Sequence, residues 1–321
     1  MSGYTPLNTY KIFCFRRFTF RRKLMDAVMT KDTPIGKKRF FNLELSILIG
    51  PVTLLVFLFT FLPLLITLYF SFLKLGDDGM MTNVFTLQNY INAFSGAYGA
   101  IFLRSFYYAV QTNIICIIIA FPVAYYITQY GGRWKTFFIL MMVIPETTAV
   151  IIRIYAVKTM LGKSGVINSL LMAMGLIDSP IRMLYSPFAV MFGLVYYSLP
   201  YMILPIYAAL EGLNPALLEA ATDMGATPIR KFFRVILPLT KGGVFAGTIL
   251  VFVPALGDYL VPTFLGGSKV MMVGNLVTHK YISAGDIPGG SAFGIVLTAL
   301  LILVLFIIIK KGGEDALEKV V

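Results

Sequence analysis

Two carboxylic acids, Glu146 and Asp258, occur within stretches of the chain that are otherwise almost entirely apolar. An ionisable side chain inside a membrane segment is costly, and it usually marks an ion or substrate pathway. Both acids lie close to prolines that could break a helix and expose backbone carbonyls. A carboxylate can stabilise a cation in such a place, and so can the face of a tyrosine ring. The tyrosines that could supply such faces are Tyr196, Tyr197, Tyr201 and Tyr259.

Each of these residues also has a purely structural interpretation. Glu146 could pair with Arg153 or with a basic partner subunit, and Asp258 could cap the end of a helix near the outer surface. Tyrosines in membrane proteins often pack in the interior or anchor a helix at the interface. The residue types leave both interpretations open.

The motifs of membrane enzymes and of nucleotide-binding proteins are missing from the sequence. No H-E-x-x-H or G-x-S-x-G string occurs, and the single histidine, His279, leaves little acid–base chemistry. The string "GKS" at 162–164 has Val157 where a phosphate-binding loop needs a glycine. We therefore expect no catalytic residue, no metal site and no cofactor in this chain, and any bound ATP and Mg²⁺ would belong to a partner.

One long polar segment interrupts the apolar sequence, and it reads "EAATDMGATPIRKFFRVILPLTKGG" from Glu219 to Gly243. Asn214 can cap a helix that has Pro215 at its first position, and Gly225 can end that helix in a left-handed conformation. Thr227 and Pro228 can start a second helix, which we expect to end before Pro238. The segment at about 211–241 is therefore predicted to be a helix–turn–helix.

This predicted helix pair is amphipathic. On the second helix an apolar stripe faces away from a basic rim; the stripe comprises Ile229, Phe232, Phe233 and Ile236, and the rim Arg230, Lys231 and Arg234. An apolar stripe on a loop needs a partner. The partner could be the bilayer surface, the chain's own helices or a groove of a soluble protein.

The elements that carry these residues are long apolar runs. Of the 321 residues 58% are hydrophobic and only 13% are charged, whereas about a quarter of the residues of a soluble domain are charged. A helix needs roughly 20 apolar residues to cross a bilayer, and buried helices of soluble domains rarely reach that length without a charge. We predict an all-α, polytopic membrane protein with six transmembrane helices. They lie at about residues 45–73, 105–130, 136–157, 187–209, 243–265 and 289–310.

The net charge of +12 is unevenly distributed along the chain. Basic residues concentrate before the first span and in the loops that would share its side of the membrane, which the positive-inside rule assigns to the cytoplasm. Both tails, 1–43 and 311–321, are then cytoplasmic, and residues 159–182 are expected to form an outer interfacial or re-entrant helix. The distribution excludes a nucleic-acid partner and favours contact of the basic tail with anionic membrane lipid.

The polar segment resembles the EAA loop of permeases from ATP-driven (ABC) importers. Six residues stand at the spacing of that signature: Glu219, Ala220, Ala221, Gly225, Leu237 and Pro238. Val235 takes a position where the signature has isoleucine. In that family the loop's short helix docks into a cleft of the ATPase subunit, so the resemblance implies a coupling role for these six residues and the type I importer permease fold.

Longer strings resemble the PotB-type permeases of spermidine/putrescine importers. They include "FTLQNY", "GLIDSPIRMLYSPFAVMFGLVYYSLPYMILPIYAALEGLNPALLEAATDMGA" and "VPALGDYLVPTFLGGSKVMMVGNLV". The likeness implies a bacterial inner membrane location, a second permease subunit, two ATP-binding subunits and an extracytoplasmic polyamine-binding protein. For a polycation, Glu146 and Asp258, with Tyr197, Tyr201 and Tyr259, are expected to line the path. Where that type carries an aromatic stretch, this chain has Glu146-Thr147-Thr148.

Other solutes and another mechanism remain as alternatives. Importer permeases of this general kind also carry opines, phosphonates or oxidised iron. An ion-coupled secondary transporter is a further alternative, but such proteins usually have more spans and an internal repeat, and this sequence has neither.

Overall fold

The computed structural model describes residues 43–312. The predicted tails, 1–43 and 311–321, therefore lie almost wholly outside the described residues. The described chain has four helices long and apolar enough to cross a membrane, and six crossings if each of two bent helix pairs counts as one. Its strands form a single two-stranded hairpin within this described part of the chain.

The elements follow one another in this order, with segments of 3₁₀ or π helix named by type. They are α1 Leu43–Ser71, β1 Leu73–Leu75, β2 Met81–Phe85, α2 Gln88–Phe94, α3 Gly96–Tyr130, 3₁₀ Gly132–Trp134, α4 Lys135–Val143, 3₁₀ Ile144–Thr147, α5 Val150–Met160, α6 Val166–Ala173, α7 Pro187–Glu211, α8 Pro215–Asp223, α9 Pro228–Lys231, π Phe232–Ile236, α10 Leu237–Leu239, α11 Lys241–Gly257, π Pro262–Gly266, 3₁₀ Gly267–Lys269, α12 Val273–Thr278, π His279–Ser283 and α13 Ile287–Gly312.

Four of the predicted spans correspond to continuous helices, α1, α3, α7 and α13. The second starts nine residues earlier than expected, because α3 begins at Gly96. The helices α3 and α7 continue through their internal prolines, Pro122, Pro200 and Pro205. Transmembrane helices tolerate such prolines because neighbouring groups and small helical adjustments satisfy the freed carbonyls.

The third and fifth predicted spans are not single helices, and the predicted ranges 136–157 and 243–265 need correction. A bend of 100° separates the segment that ends at Thr147 from α5. Thr148 and Ala149, which lie between them, have extended ψ angles of 148° and 135°. In the fifth, α11 ends at Gly257 and Asp258 is extended, with ψ 129°. The first interruption begins two residues after Glu146, and the second begins at Asp258.

The helices α3, α7 and α11 pack against one another and form the centre of the described structure. Glycines on α11 let it approach α7 closely. A Cβ added at Gly243 would lie 2.5 Å from the Pro205 carbonyl oxygen, and one at Gly247 would lie 2.6 Å from the Met202 sulfur. Small residues at such crossings permit the close backbone packing that holds membrane helices together.

Candidate functional site

The first arm of the polar loop is a helix with a cap at each end. The Asn214 side chain accepts a hydrogen bond of 3.0 Å from the Ala216 N–H, and Pro215 occupies the first position. At the other end Gly225 has φ +75° and its N–H donates to the Thr222 carbonyl, while the Ala226 N–H donates to the Ala221 carbonyl. This pair of bonds is a Schellman motif. The predicted boundaries of this helix are confirmed.

The second arm starts at the predicted residue but ends later than predicted. Thr227 caps it by accepting from the Arg230 N–H at 3.3 Å. The helix then passes through a π turn and reaches Leu239, so the expected end before Pro238 is wrong. Pro238 lies in α10 directly after the π turn, and it lacks the N–H that an α-helical bond to the Arg234 carbonyl would need. The arm meets α11 at a bend of 66°.

The apolar stripe of the second arm divides between two environments. Phe232 packs edge-on against Phe121 of α3, with ring centroids 5.0 Å apart, and Ile236 is buried in the same cluster. Ile229 and Phe233 remain 73% and 61% exposed. The loop thus uses one half of its stripe to attach to the chain's own helices and leaves the other half free.

The first arm also carries exposed apolar side chains. Leu217 is 49% exposed and Met224, next to the left-handed glycine, is 89% exposed. We name the four exposed apolar residues, Leu217, Met224, Ile229 and Phe233, the coupling surface. Large apolar side chains presented by a rigid helix pair are typical of a site that docks another protein.

Glu219 lines an open cavity of about 380 Å³ behind the first arm. Four further polar residues line the same cavity and form two contacts with one another. Lys135 and Glu211 form an ion pair at 3.0 Å, and Lys231 donates to the Thr222 hydroxyl at 3.0 Å, which ties the second arm to the first. Glu219 therefore lies among lysines of its own chain.

The other residues of the predicted coupling set lie on the same helix pair. Ala220 is exposed and Ala221 is half-buried on the first arm. On the second arm Leu237 packs against the buried cluster that contains Ile236, and Pro238 is exposed. The structure thus brings all six predicted residues into one compact loop.

The predicted transport-path residues divide into two groups, of which the first surrounds Glu146. Arg153 Nη1 donates to Glu146 Oε1, and the two side chains are only 8% and 16% exposed. The guanidinium lies over the Tyr197 ring, 5.1 Å from its centroid, and the Tyr201 ring lies 5.8 Å from that of Tyr197. Tyr196 of the same helix is 43% exposed.

This cluster keeps two buried polar atoms without a hydrogen-bond partner in the described part of the chain, Glu146 Oε2 and Arg153 Nε. Both atoms belong to the Glu146–Arg153 ion pair, so the pair leaves one carboxylate oxygen and one guanidinium N–H without a partner, although buried polar groups are almost always satisfied. The cation that this carboxylate and the Tyr197 face hold in the structure is the Arg153 guanidinium.

The second group surrounds Asp258. Its Oδ1 atom accepts hydrogen bonds from the N–H groups of Leu260 at 2.7 Å and Val261 at 3.1 Å. Asp258 is therefore the cap of the turn that follows α11, as the structural interpretation proposed. Tyr259 is 45% exposed, and its carbonyl accepts from the Asn275 side chain at 2.9 Å.

Sequence reasoning missed two asparagines that organise the loops. Asn168 is fully buried and bonds Gly162 and Ile181 through both ends of its amide. Asn275 bonds Tyr259, Thr263 and the Met272 N–H. The only sequence signal is a lone amide in an apolar segment, which does not indicate its partner.

Comparison with known proteins identifies a family whose members match this chain. Residues 93–311 match the family described as "Binding-protein-dependent transport system inner membrane component". The chain belongs to this family. As an inner membrane component it is a multi-pass inner membrane protein, and the loop that it shares with permeases lies within the matched region.

Individual relatives of this inner membrane component are permease subunits. This chain is 40% identical over 249 residues to the spermidine/putrescine transport system permease protein PotB of Haemophilus influenzae, and the match covers 78% of this chain and 87% of that protein. It is 34% identical over 287 residues to the inner membrane ABC transporter permease protein YdcU of Escherichia coli K12, covering 84% and 90%.

A solved structure supports the fold. A chain of the bacterial alginate ABC transporter, solved in complex with an alginate pentasaccharide-bound periplasmic protein, matches with a TM-score of 0.65. The match covers 87% of this chain and 96% of that one, at 17% identity. This likeness shows that the two chains share a fold at low sequence similarity.

Proposed function

We propose that this chain is the permease subunit of an ATP-driven importer for spermidine or putrescine. The observation that carries the proposal is the capped helix pair between α7 and α11, with its exposed coupling surface, in a chain related to PotB permeases. A second permease subunit, two ATP-binding subunits and an extracytoplasmic binding protein complete the importer. ATP and Mg²⁺ are bound by the ATP-binding subunits.

The loop transmits motion because its two arms are tied to each other and to the core. The Lys231–Thr222 hydrogen bond joins the arms, and Phe232 and Ile236 attach the second arm to the cluster of α3 and α7. A displacement of Met224 or Phe233 by an ATPase subunit would therefore move the ends of α7 and α11 together. Closely packed helices move as rigid bodies and pass such displacements on.

The orientation follows from the coupling role. The ATPase subunits work in the cytoplasm, so the loop 211–241 faces the cytoplasm, and an even number of crossings then places both termini there. The basic residues of the loop, Arg230, Lys231 and Arg234, agree with this orientation under the positive-inside rule.

Glu146 is proposed as the group that stabilises the substrate's ammonium groups within the membrane. Its free Oε2 atom and the Tyr197 and Tyr201 rings provide a carboxylate and aromatic faces in one place. The Oδ1 atom of Asp258 accepts the two hydrogen bonds of its cap. The Oδ2 atom is therefore the one that can bind a cation near Tyr259. Specificity among polyamines is assigned to the binding protein.

Reconstitution of the assembled importer tests the proposal. Liposomes that contain this permease with its companion subunits should accumulate spermidine or putrescine only with ATP and the binding protein, and vanadate should stop the accumulation. Accumulation driven by an ion gradient without ATP would identify a secondary transporter instead. Binding of an opine, phosphonate or ferric iron by the companion binding protein would reassign the substrate.

A further inference from the structure

A second open cavity, of about 620 Å³, lies at the end of α7 opposite to the coupling loop. Three basic side chains line it, and they come from three separate segments. Lys163 follows α5, Arg182 precedes α7, and Lys269 follows the π turn Pro262–Gly266. The remaining lining residues are Leu161, Met183, Leu184, Tyr185, Ser186 and Gly267.

The charge of this basic cavity is not neutralised within the described part of the chain. Its lining contains no carboxylate, and none of the three basic side chains forms an ion pair with any described residue. A fourth cation, Lys158, lies beside the cavity with its Nζ 6.0 Å from the centroid of the Tyr185 ring. A concave surface with one sign of charge concentrates the field and attracts groups of opposite charge.

The walls of the cavity are held by specific contacts. Tyr185 is the one described residue other than glycine with positive φ, at 58°, and its N–H donates to the Leu265 carbonyl at 2.9 Å. Its ring lies against Gly267, where an added Cβ would be 3.0 Å from the Tyr185 Cδ1 atom. A non-glycine residue in this conformation costs energy and persists where the surrounding structure requires it, often at a binding site.

The buried amide of Asn168 fixes the other wall. Its Nδ2 donates to the carbonyls of Gly162 at 2.9 Å and Ile181 at 3.0 Å, and its Oδ1 accepts from the Ile181 N–H. These bonds set the spacing between the neighbours of Lys163 and Arg182. The basic side chains are exposed, but the backbone that carries them is pre-organised, which lowers the entropic cost of binding a partner.

The position of the cavity identifies the side of the membrane that it faces. Ser186, the cap of α7, lines the cavity, whereas the coupling loop follows Glu211 at the other end of that helix. A helix of 25 residues is about 37 Å long, enough to cross a hydrocarbon core of about 30 Å. Given the proposed function, which puts the loop in the cytoplasm, the cavity opens outside.

We infer that the basic cavity is a docking site for the importer's extracytoplasmic binding protein, whose surface carboxylates bind Lys163, Arg182 and Lys269. Unpaired basic residues on the outer side are unusual, because Lys and Arg concentrate in the cytoplasmic loops of membrane proteins. The family's transport depends on a binding protein, and complementary charge speeds such an encounter and fixes its orientation. The inference rests on the proposed function, since it needs both the importer and the orientation.

The test uses the complete importer reconstituted in liposomes, with and without anionic lipid. ATP hydrolysis is measured against the concentration of polyamine-loaded binding protein at several salt concentrations. The variants are Lys163→Glu, Arg182→Glu and Lys269→Glu, singly and together. Lys74→Glu is the matched control, because Lys74 is an exposed lysine on β1 that does not line the cavity.

We expect each single reversal to raise the half-saturating binding-protein concentration about three- to tenfold, and the triple variant to raise it more than about thirtyfold. The triple variant should also reverse the salt dependence, because the new glutamates repel the binding protein's carboxylates and salt screens that repulsion, while its maximal rate and the Lys74→Glu control stay at wild type. An unchanged half-saturating concentration in the triple variant overturns the inference. A defect that depends only on the lipid composition also overturns the inference, because the cavity would then bind a lipid headgroup. A wild-type importer that does not respond to its binding protein would instead contradict the proposed function.

Discussion

Glu146 and Arg153 form an ion pair across the 100° bend of the third predicted span. Glu146 lies in the short 3₁₀ segment before the bend and Arg153 lies on α5 after it. The pair therefore neutralises two buried charges and also joins the two arms of a broken crossing. The Arg153 guanidinium also lies over the Tyr197 ring, so the pair contacts α7 as well.

Replacing Glu146 by glutamine should lower stability and uptake together. Arg153 would be left buried without its partner, a change that costs about 3 kcal/mol or more. The double variant Glu146→Gln with Arg153→Gln removes both charges and should regain thermal stability. Polyamine uptake per ATP hydrolysed should remain low in the double variant, because the carboxylate for the ammonium group is still missing. Wild-type uptake in that variant would show that the pair is purely structural.

Substitution of Asp258 separates its two assigned roles. Asparagine can accept the same backbone hydrogen bonds, so Asp258→Asn should keep the cap, whereas Asp258→Ala should cost about 1 kcal/mol. If the free oxygen helps a cation to pass, Asp258→Asn should reduce uptake severalfold at unchanged melting temperature. Equal uptake by wild type and Asp258→Asn would leave Asp258 as a cap alone.

Gly225 requires a left-handed backbone, so substitutions there should impair coupling. Alanine at φ +75° costs about 1–2 kcal/mol, and proline cannot adopt that angle at all. Gly225→Pro should insert into the membrane but fail to retain the ATPase during co-purification. Gly212→Ala is the control in the same loop, since Gly212 has φ −77° and an added Cβ has its nearest contact at 3.5 Å. Full ATPase retention and uptake by Gly225→Pro would be incompatible with the coupling role.

Charge reversal at Glu219 should disturb the cavity behind the first arm. Glu219→Lys adds a third lysine to a space that Lys135 and Lys231 already line, and like charges there repel. We expect the variant to release the ATPase and to lose most uptake, with Glu219→Gln intermediate. Co-purification and uptake assays on both variants provide the measurement, and wild-type values for Glu219→Lys would contradict the assignment.

Two adjacent phenylalanines of the loop should behave differently when each is replaced by alanine. Phe232 packs against Phe121, so Phe232→Ala should lower the melting temperature through lost packing. Phe233 is 61% exposed, so Phe233→Ala should leave the melting temperature within about 1 °C but weaken ATPase binding at least about tenfold. Thermal unfolding and ATPase titration distinguish the two effects. A Phe233→Ala variant that binds the ATPase normally would remove this residue from the coupling surface.

Local signals in the chain were sufficient to predict several elements. Asn214, Gly225 and Thr227 lie where caps were expected, because a cap depends on a few neighbouring residues. The sequence predicts that the second arm ends before Pro238, but the arm continues to Leu239. The π turn that precedes Pro238 depends on the packing of Phe232 and Ile236 against α3 and α7, which the sequence does not show. Likewise, the pattern of apolar residues predicts a crossing at 136–157 but carries no information about a bend of 100°.

The amino-acid sequence alone was enough to predict a polytopic helical membrane protein and the helix pair of its polar loop, because both depend on the length of apolar runs and on the spacing of a few residues. The folded chain was needed to show that Glu146 faces Arg153 and Tyr197, and that only half of the apolar stripe stays exposed. It also brings Lys163, Arg182 and Lys269 to one cavity. Such pairings arise from the packing of segments far apart in the chain, which hydrophobic periodicity and local propensity do not encode.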